Sequence, residues 1–216
     1  MHPRERGSGL RSMATTLAGR LQGLNLYLVG MMGAGKSAVG RPLAEALGYR
    51  FLDADTALEQ VAGRSIPDLF AAEGEAGFRD LETQVISGIA QWHSLVVATG
   101  GGIVLRPENW GVMRQGVVIW LDAPEPLLLE RLRHDPTPRP LLQSEDPAGR
   151  LSQLLEQRRP LYDQADLRIP QAGETPEQVA ALVLEALPGL IKEQTRPPLT
   201  PAQLENADGH PTASFN

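Results

Sequence analysis

Cysteine is absent from this 216-residue chain. That excludes a disulfide scaffold, a thiolate zinc site and a cysteine nucleophile, and it suits a reducing compartment. Long apolar runs are absent too. No stretch of roughly 18 apolar residues occurs, so no membrane-spanning helix is expected, and the first twenty residues hold nothing long enough for a secretory signal. An excess of positive charge is also lacking: the formal net charge is -6, which argues against a general nucleic-acid binder. Lysine is rare, with only Lys36 and Lys192 among the 20 basic residues, a ratio that coding bias toward arginine accounts for. What is present is ordinary globular composition, 42% hydrophobic and 21% charged, which excludes wholesale disorder. The length implies one domain, or one domain with small lids. At this size about 70% of the unfolded surface can be buried.

The first twenty residues are basic, with Glu5 the one acid. They read as a floppy lead-in, with Met13 as a possible start and an organelle-targeting segment as the alternative. The expected organisation is a flexible extension over 1–22, a single domain over 23–190 and a disordered tail over 191–216. The tail carries Pro197, Pro198, Pro201 and Pro211 among polar residues. Between the ends, apolar runs alternate with helical spacing. Strands are expected at 24–30, 49–52, 94–102, 116–122 and, more weakly, 166–170. Helices are expected at 36–48 and near 56–62, 75–91, 124–133, 147–159 and 175–187. The near-continuous apolarity of the strands suits a sheet covered on both faces. The alternation implies a parallel α/β sheet with right-handed crossovers.

The strongest motif is GMMGAGKS, Gly30 to Ser37, which fits G-x-x-x-x-G-K-[ST] and lies between a strand and a helix as its mechanism requires. Its glycines allow successive backbone N–H groups to turn inward, and the following helix adds its positive end. Lys36 reaches β- and γ-phosphates, and the Ser37 hydroxyl suits Mg²⁺, a hard cation that prefers oxygen. Lys36 is also the one lysine in the folded body, at a position where a slim ammonium is needed and a guanidinium is a poor replacement. The motif implies nucleoside triphosphate binding and does not name the acceptor.

Asp53 and Asp55 end the second expected strand in FLDAD. Alternation puts them on one face at the strand's C-terminal end, where open α/β sheets bind ligands. One carboxylate suits a magnesium-bound water and the other an acceptor hydroxyl, a division fitted to phosphoryl transfer. Helix N-capping is the competing role for either. In GEAGFRDLE, Arg79 and Glu82 are spaced to pair on one helix face. Phe78 would pack that helix and aim the Arg79 guanidinium inward, where its planar fork matches a carboxylate. A solvated surface pair is the competing reading. Gly100, Gly101 and Gly102 permit close approach of a ligand to the backbone, or make a tight turn. RLRHDPTPRPLL reads as a mobile connection in which Arg139 closes over phosphates and excludes water. In QRRPLYDQAD, Arg158 and Arg159 point in different directions, so one faces a site and the other solvent; spacing does not say which.

Taken together, GMMGAGKS, DAD, GEAGFRDLE, GGG, RPLL and RRPLY in this order resemble the shikimate kinases, over about Asn25 to Leu187. The resemblance implies a P-loop kinase fold of the nucleoside-monophosphate-kinase type. Such a fold has a five-stranded parallel sheet flanked by helices, a substrate-binding segment at about 54–90 and a lid at about 133–147. It implies transfer of the ATP γ-phosphate to the 3-hydroxyl of shikimate, with one Mg²⁺, in a cytoplasmic monomer with neither nucleic acid nor membrane as partner. By position, Gly33, Ala34, Gly35, Lys36, Ser37 and Ala38 would hold ATP, Ser37 and Asp53 the metal, and Asp55 the acceptor hydroxyl. Arg79, Gly101 and Arg158 would bind shikimate. Arg139 would be the lid arginine, and Arg133 would face adenine. One departure is Ala38, where many members have a threonine able to touch the α-phosphate. A related kinase acting on gluconate is the alternative within the class. The set Asp55, Arg79 and Arg158 speaks against it, since it suits a hydroxylated ring bearing a carboxylate. A catalytically silent homologue is a third reading, and it would be expected to have lost one of these residues.

Overall fold

The computed structural model describes residues 14, 16–135, 140–142 and 145–191. Five strands form one parallel sheet: β1 (Leu26–Val29), β2 (Arg50–Asp53), β3 (Leu95–Ala98), β4 (Val117–Asp122) and β5 (Leu167–Pro170), in the order β2-β3-β1-β4-β5. Every residue of β1, β3 and β4 is buried, whereas the edge strands β2 and β5 are partly exposed. This is the signature of a sheet covered on both faces. Alternation divides the side chains between two cores. Leu26, Leu28, Val96 and Ile119 join one, and Tyr27, Val29, Val97 and Trp120 join the other.

Seven α-helices after β1 cover the sheet among the described residues. They are α1 (Lys36–Leu47), α2 (Ala54–Ala62), α3 (Ile66–Ile89), α4 (Pro107–Met113), α5 (Glu125–His134), α6 (Pro147–Tyr162) and α7 (Pro176–Ala186). Helices α1 and α7 pack on the first face with Val39, Leu43, Val179 and Val183; α3 and α4 pack on the second with Phe78, Ile86, Trp110 and Met113. Thr175 starts α7 with a capping box to Gln178, and Asp53 and Ser65 cap α2 and α3. No helix among the described residues is long and apolar enough to cross a membrane.

The third strand ends at Ala98, short of the expected 94–102, and four helical segments also differ from the sequence expectations. The lead-in is not loose throughout: residues 16–21 are helical, and Ala14, Leu17 and Leu21 are buried in the first core. The Arg20 guanidinium donates to the Ile191 carbonyl at 2.7 Å. The small and apolar spacing of Ala14, Leu17 and Leu21 is what a short amphipathic helix needs; the basic flank hides it. Helix α3 begins at Ile66, and Gly74, with φ 67° and ψ -174°, joins two helical arms across a kink. Helix α6 continues through Pro160 to Tyr162, where the expected helix stops at 159; the proline's fixed φ of about -65° is itself helical, although its missing N–H costs the ladder a bond. Helix α4 is seven residues with proline at its start, too short for its periodicity to register. The tail from residue 192 and the expected lid centre, Arg139 included, lie outside the described residues.

Candidate active site

The loop between β1 and α1 is shaped by its glycines. Gly33 and Gly35 have φ of 80° and 84°, conformations that a side-chain-bearing residue adopts only at a cost. Gly35 is also the N-cap of α1, so the loop delivers the chain into the helix with its first-turn N–H groups facing the cleft. The Lys36 ammonium donates to the Gly30 and Met31 carbonyls, at 2.8 and 3.0 Å. It is thereby folded back over the loop that it serves.

Ser37 and Asp53 meet at the C-terminal end of the sheet. The Ser37 hydroxyl donates to Asp53 Oδ2 at 2.5 Å. Asp53 Oδ1 accepts from the N–H groups of Asp55 and Thr56, at 3.1 and 3.3 Å, and so caps α2. Capping and proximity to the loop serine are therefore one arrangement, served by the two oxygens of one carboxylate. Asp55 reaches the site by a different route from the strand alternation expected of it. The strand ends at Asp53, and Asp55 stands in the first turn of α2, where the helix dipole favours its charge.

A cavity of about 640 Å³ opens beside these carboxylates, lined by Ser37, Asp53, Asp55, Phe78, Arg79, Glu82, Gly100 to Gly102 and Arg158. Arg79 is 6% exposed and its guanidinium lies 4.9 Å from the Phe78 ring centroid, so the inward aim expected from Phe78 is what the structure has. It donates to Glu82 at 2.7 Å and to Glu75 at 3.2 Å. Burial pushes the Glu82 carboxyl above its ordinary value and nearby Asp55 adds to this, while the charges of Arg79 and Arg158 oppose it. Arg79 Nε and Glu82 Oε1 are buried without a hydrogen-bond partner among the described residues, which leaves polar capacity for a ligand.

The choice between the consecutive arginines of α6 is clear. Arg158 is 2% exposed, and its Nη1 donates to the Gly101 carbonyl at 3.1 Å. Arg159 is half exposed and faces Asp122 at 3.7 Å. Tyr162, one turn later, donates its hydroxyl to the same Gly101 carbonyl at 2.6 Å. The glycine loop after β3 is thus held from behind by two donors of α6.

On the other side of the phosphate loop lies a recess of about 510 Å³, lined by Gly35, Ala38, Val39, Leu127, Arg131, Gln171 and Pro176. A third space of about 300 Å³ lies between the two, lined by Gly33, Lys36, Ser37, Asp53, Asp55 and Arg131. The third shares Ser37, Asp53, Asp55 and Gly101 with the first and Gly35, Ala38 and Arg131 with the second, so the three adjoin as a cleft around the phosphate loop. Arg131 faces it, with Nη1 donating to the Gly33 carbonyl at 3.3 Å. The residue expected there, Arg133, is exposed. Two residues apart on a helix is more than half a turn, so the two cannot share a face. Among the expected residues, Gly33, Gly35 to Ala38, Asp53, Asp55, Arg79, Gly101 and Arg158 line this cleft, whereas the Ala34 side chain is buried in the first core and does not. Glu82, Tyr162, Arg131 and Gln171 were not singled out as functional. Glu82, Tyr162 and Arg131 lie inside quoted segments, whereas Gln171 carries no motif signal. No group of three or more histidine, aspartate or glutamate side chains among the described residues forms a metal cage.

Residues 32–188 match the protein family described as Shikimate kinase. The chain is 61% identical over 184 residues to the shikimate kinase of Synechococcus sp. (strain RCC307), covering 85% of this chain and 94% of that protein. Among solved structures, the shikimate kinase of Acinetobacter baumannii in complex with shikimate superposes with a TM-score of 0.76 at 40% identity, over 80% of this chain and 97% of that one. The shikimate kinase of Bacteroides thetaiotaomicron superposes with a TM-score of 0.71 at 31% identity, over 76% and 98%.

Proposed function

The chain belongs to the shikimate kinase family, and from that premise we propose how its residues transfer the γ-phosphate of ATP to the 3-hydroxyl of shikimate. The observation that carries the reading is the single cleft: Asp55 stands between the phosphate loop on one side and the buried guanidiniums of Arg79 and Arg158 on the other. A substrate with a carboxylate at one end and a hydroxyl at the other fits that polarity.

In this reading Arg79 and Arg158 clamp the carboxylate, and the Gly101 backbone contacts the ring. Asp55 accepts the hydrogen bond of the attacking hydroxyl and takes its proton as the new O–P bond forms and the bond from the γ-phosphorus to the bridging oxygen breaks, its electron pair leaving on ADP. Gly33 to Ala38 cradle the phosphates of ATP. Lys36 exchanges its two loop carbonyls for β- and γ-phosphate oxygens and neutralises charge that develops in transfer, where positioning and electrostatics supply most of the catalysis. Arg139 closes over the phosphates from the lid. Ala38 offers its N–H but no hydroxyl, a loss of one contact of about 0.5–1.5 kcal/mol at most.

Ser37 Oγ and Asp53 Oδ2, hard oxygen donors 2.5 Å apart, fit Mg²⁺, which binds through one or two protein oxygens together with water and substrate phosphates. Bound there with ATP, the ion would neutralise phosphate charge. The same reading carries the expectation of a cytoplasmic monomer with no nucleic-acid or membrane partner, which fractionation and sedimentation check.

A coupled assay of ADP release tests the reading. Turnover is expected to require both shikimate and Mg²⁺, to vanish in Lys36→Met and to fall by orders of magnitude in Asp55→Ala. A preference for gluconate in a panel of acceptors would overturn the substrate, and full activity of Asp55→Ala would overturn the role given to that carboxylate.

A further inference from the structure

Gln171 is 5% exposed and follows β5 directly, in the turn toward α7. Its backbone N–H donates to the Asp122 carbonyl at 2.9 Å. This extends the β4–β5 ladder by one rung and fixes where the side chain begins. From there the side chain reaches the phosphate loop. Nε2 donates to the Ala34 carbonyl at 2.9 Å, and Oε1 accepts from Arg131 Nη1 at 3.0 Å. The same Arg131 nitrogen donates to the Gly33 carbonyl at 3.3 Å. The chemistry of the partners dictates both ends of the amide: a guanidinium only donates and a carbonyl only accepts.

Two successive loop carbonyls, those of Gly33 and Ala34, are therefore held by a linked pair of side chains that reach the loop from α5 and from the turn after β5. A peptide unit is planar and trans, with its C=O and N–H pointing opposite ways. Holding the Ala34 carbonyl on Gln171 thus fixes the Gly35 N–H on the opposite side of the peptide, and the direction of such N–H groups decides whether a loop cradles an anion. We propose that Gln171 is a positioning residue for the nucleotide, acting through the Ala34 carbonyl on the shape of the phosphate loop and through Arg131 on the cleft wall beside it. The inference rests on the reading of the loop as the ATP site. It requires glutamine in particular, because one side chain must donate at one end and accept at the other.

The test is calorimetric titration of the full chain with ADP, alongside kinetics in shikimate and thermal melts, for the wild type, Gln171→Met and Gln171→Glu. Methionine keeps the length and removes both hydrogen bonds. Glutamate keeps the acceptor for Arg131 and sets an oxygen against the Ala34 carbonyl. The expected result is ADP affinity lowered by about fivefold or more in both variants, the loss of at least one neutral hydrogen bond, with KM for shikimate within about twofold of wild type. If Gln171→Glu fails to fold, the methionine variant alone decides. Unchanged ADP affinity in the variants overturns the inference. So does a Gln171→Glu protein that binds ADP as the wild type does while Gln171→Met does not, since Arg131 alone would then be served. Losses for ADP and shikimate that track a lowered melting temperature reduce Gln171 to a structural residue and also overturn it. A wild-type protein that binds no ADP removes the nucleotide reading itself, an outcome seen before any variant is made.

Discussion

The Tyr162 hydroxyl illustrates how much a single buried group contributes to this site. Its ring is fully buried and stacks on Trp120 at 5.9 Å between centroids, and burial pushes the phenol up to about 12. It is therefore a neutral donor to the Gly101 carbonyl throughout the working pH range. Tyr162→Phe keeps the stack and deletes the hydroxyl. The expected loss is about 1 kcal/mol, the worth of one neutral hydrogen bond. It should be seen as a roughly fivefold rise in KM for shikimate with KM for ATP unchanged; equal rises in both would assign Tyr162 to the core alone. Glu82 leads to a pH prediction. Its native carboxyl titrates above the ordinary 4.5, with burial outweighing the Arg79 charge. Between 4.5 and that raised value the native state binds more protons than the unfolded chain, so stability falls as pH rises through the window and is level above it. Urea unfolding across acid pH should show this slope in the wild type and its loss in Glu82→Gln. At this scale, the residues legible in the sequence were those inside motifs, such as Lys36 and Asp55. Gln171 was not, because a glutamine after a strand has no spacing or partner in the sequence to mark it.

At the scale of elements, the segment after β3 shows why a glycine run that looked ambiguous is a site component. Gly102 has φ of -100°, an angle any residue accepts, so what matters there is space and not conformation. A Cβ on Gly102 would collide with the Arg79 guanidinium. One on Gly100 would stand 2.7 Å from Glu82 Oε1 and 2.8 Å from Asp55 Oδ1. The loop is thus fitted around the charged groups of α2 and α3. Gly102→Ala is expected to displace Arg79 and raise KM for shikimate at least tenfold, with ADP affinity unchanged. Kinetics in each substrate check this, and an unaltered KM for shikimate would remove Arg79 from the carboxylate clamp. The strands and the longer helices were legible because apolar periodicity reports burial directly. The kink at Gly74 and the short helix α4 were not, since one depends on a single glycine's φ and the other is too brief to repeat. Asp55 was legible as a cleft-lining residue for a partly wrong reason: the chain turns into α2 at Ala54, capped by Asp53, in place of the expected strand alternation.

For the whole molecule, the net charge of -6 is no guide to the cleft, where Lys36, Arg79, Arg131 and Arg158 converge from four separate elements. The local field governs anion binding. The sheet order makes that convergence possible. From β1 the chain crosses past the position of β3 to β2, and the ends of these three strands deliver the phosphate loop, Asp53 and the glycine loop to one edge. The same core depends on the segment before β1. Leu17 is 2% exposed and Leu21 0%, both in the cluster that also holds Leu26, Leu43 and Val183. Emptying such positions costs about 2–5 kcal/mol for each leucine cut to alanine, a large share of the roughly 5–15 kcal/mol that holds a domain folded. A chain started at Met13 keeps these contacts, and one started at Gly23 loses them all. Urea unfolding of the two is expected to give the longer chain the midpoint of the full protein and the shorter one a clearly lower midpoint. Leu21→Ala in the full chain should reproduce much of that loss. If the chain started at Gly23 were as stable as the whole, residues 16–21 would be no part of the cooperative fold, and the domain would begin at β1 as its motifs alone suggest.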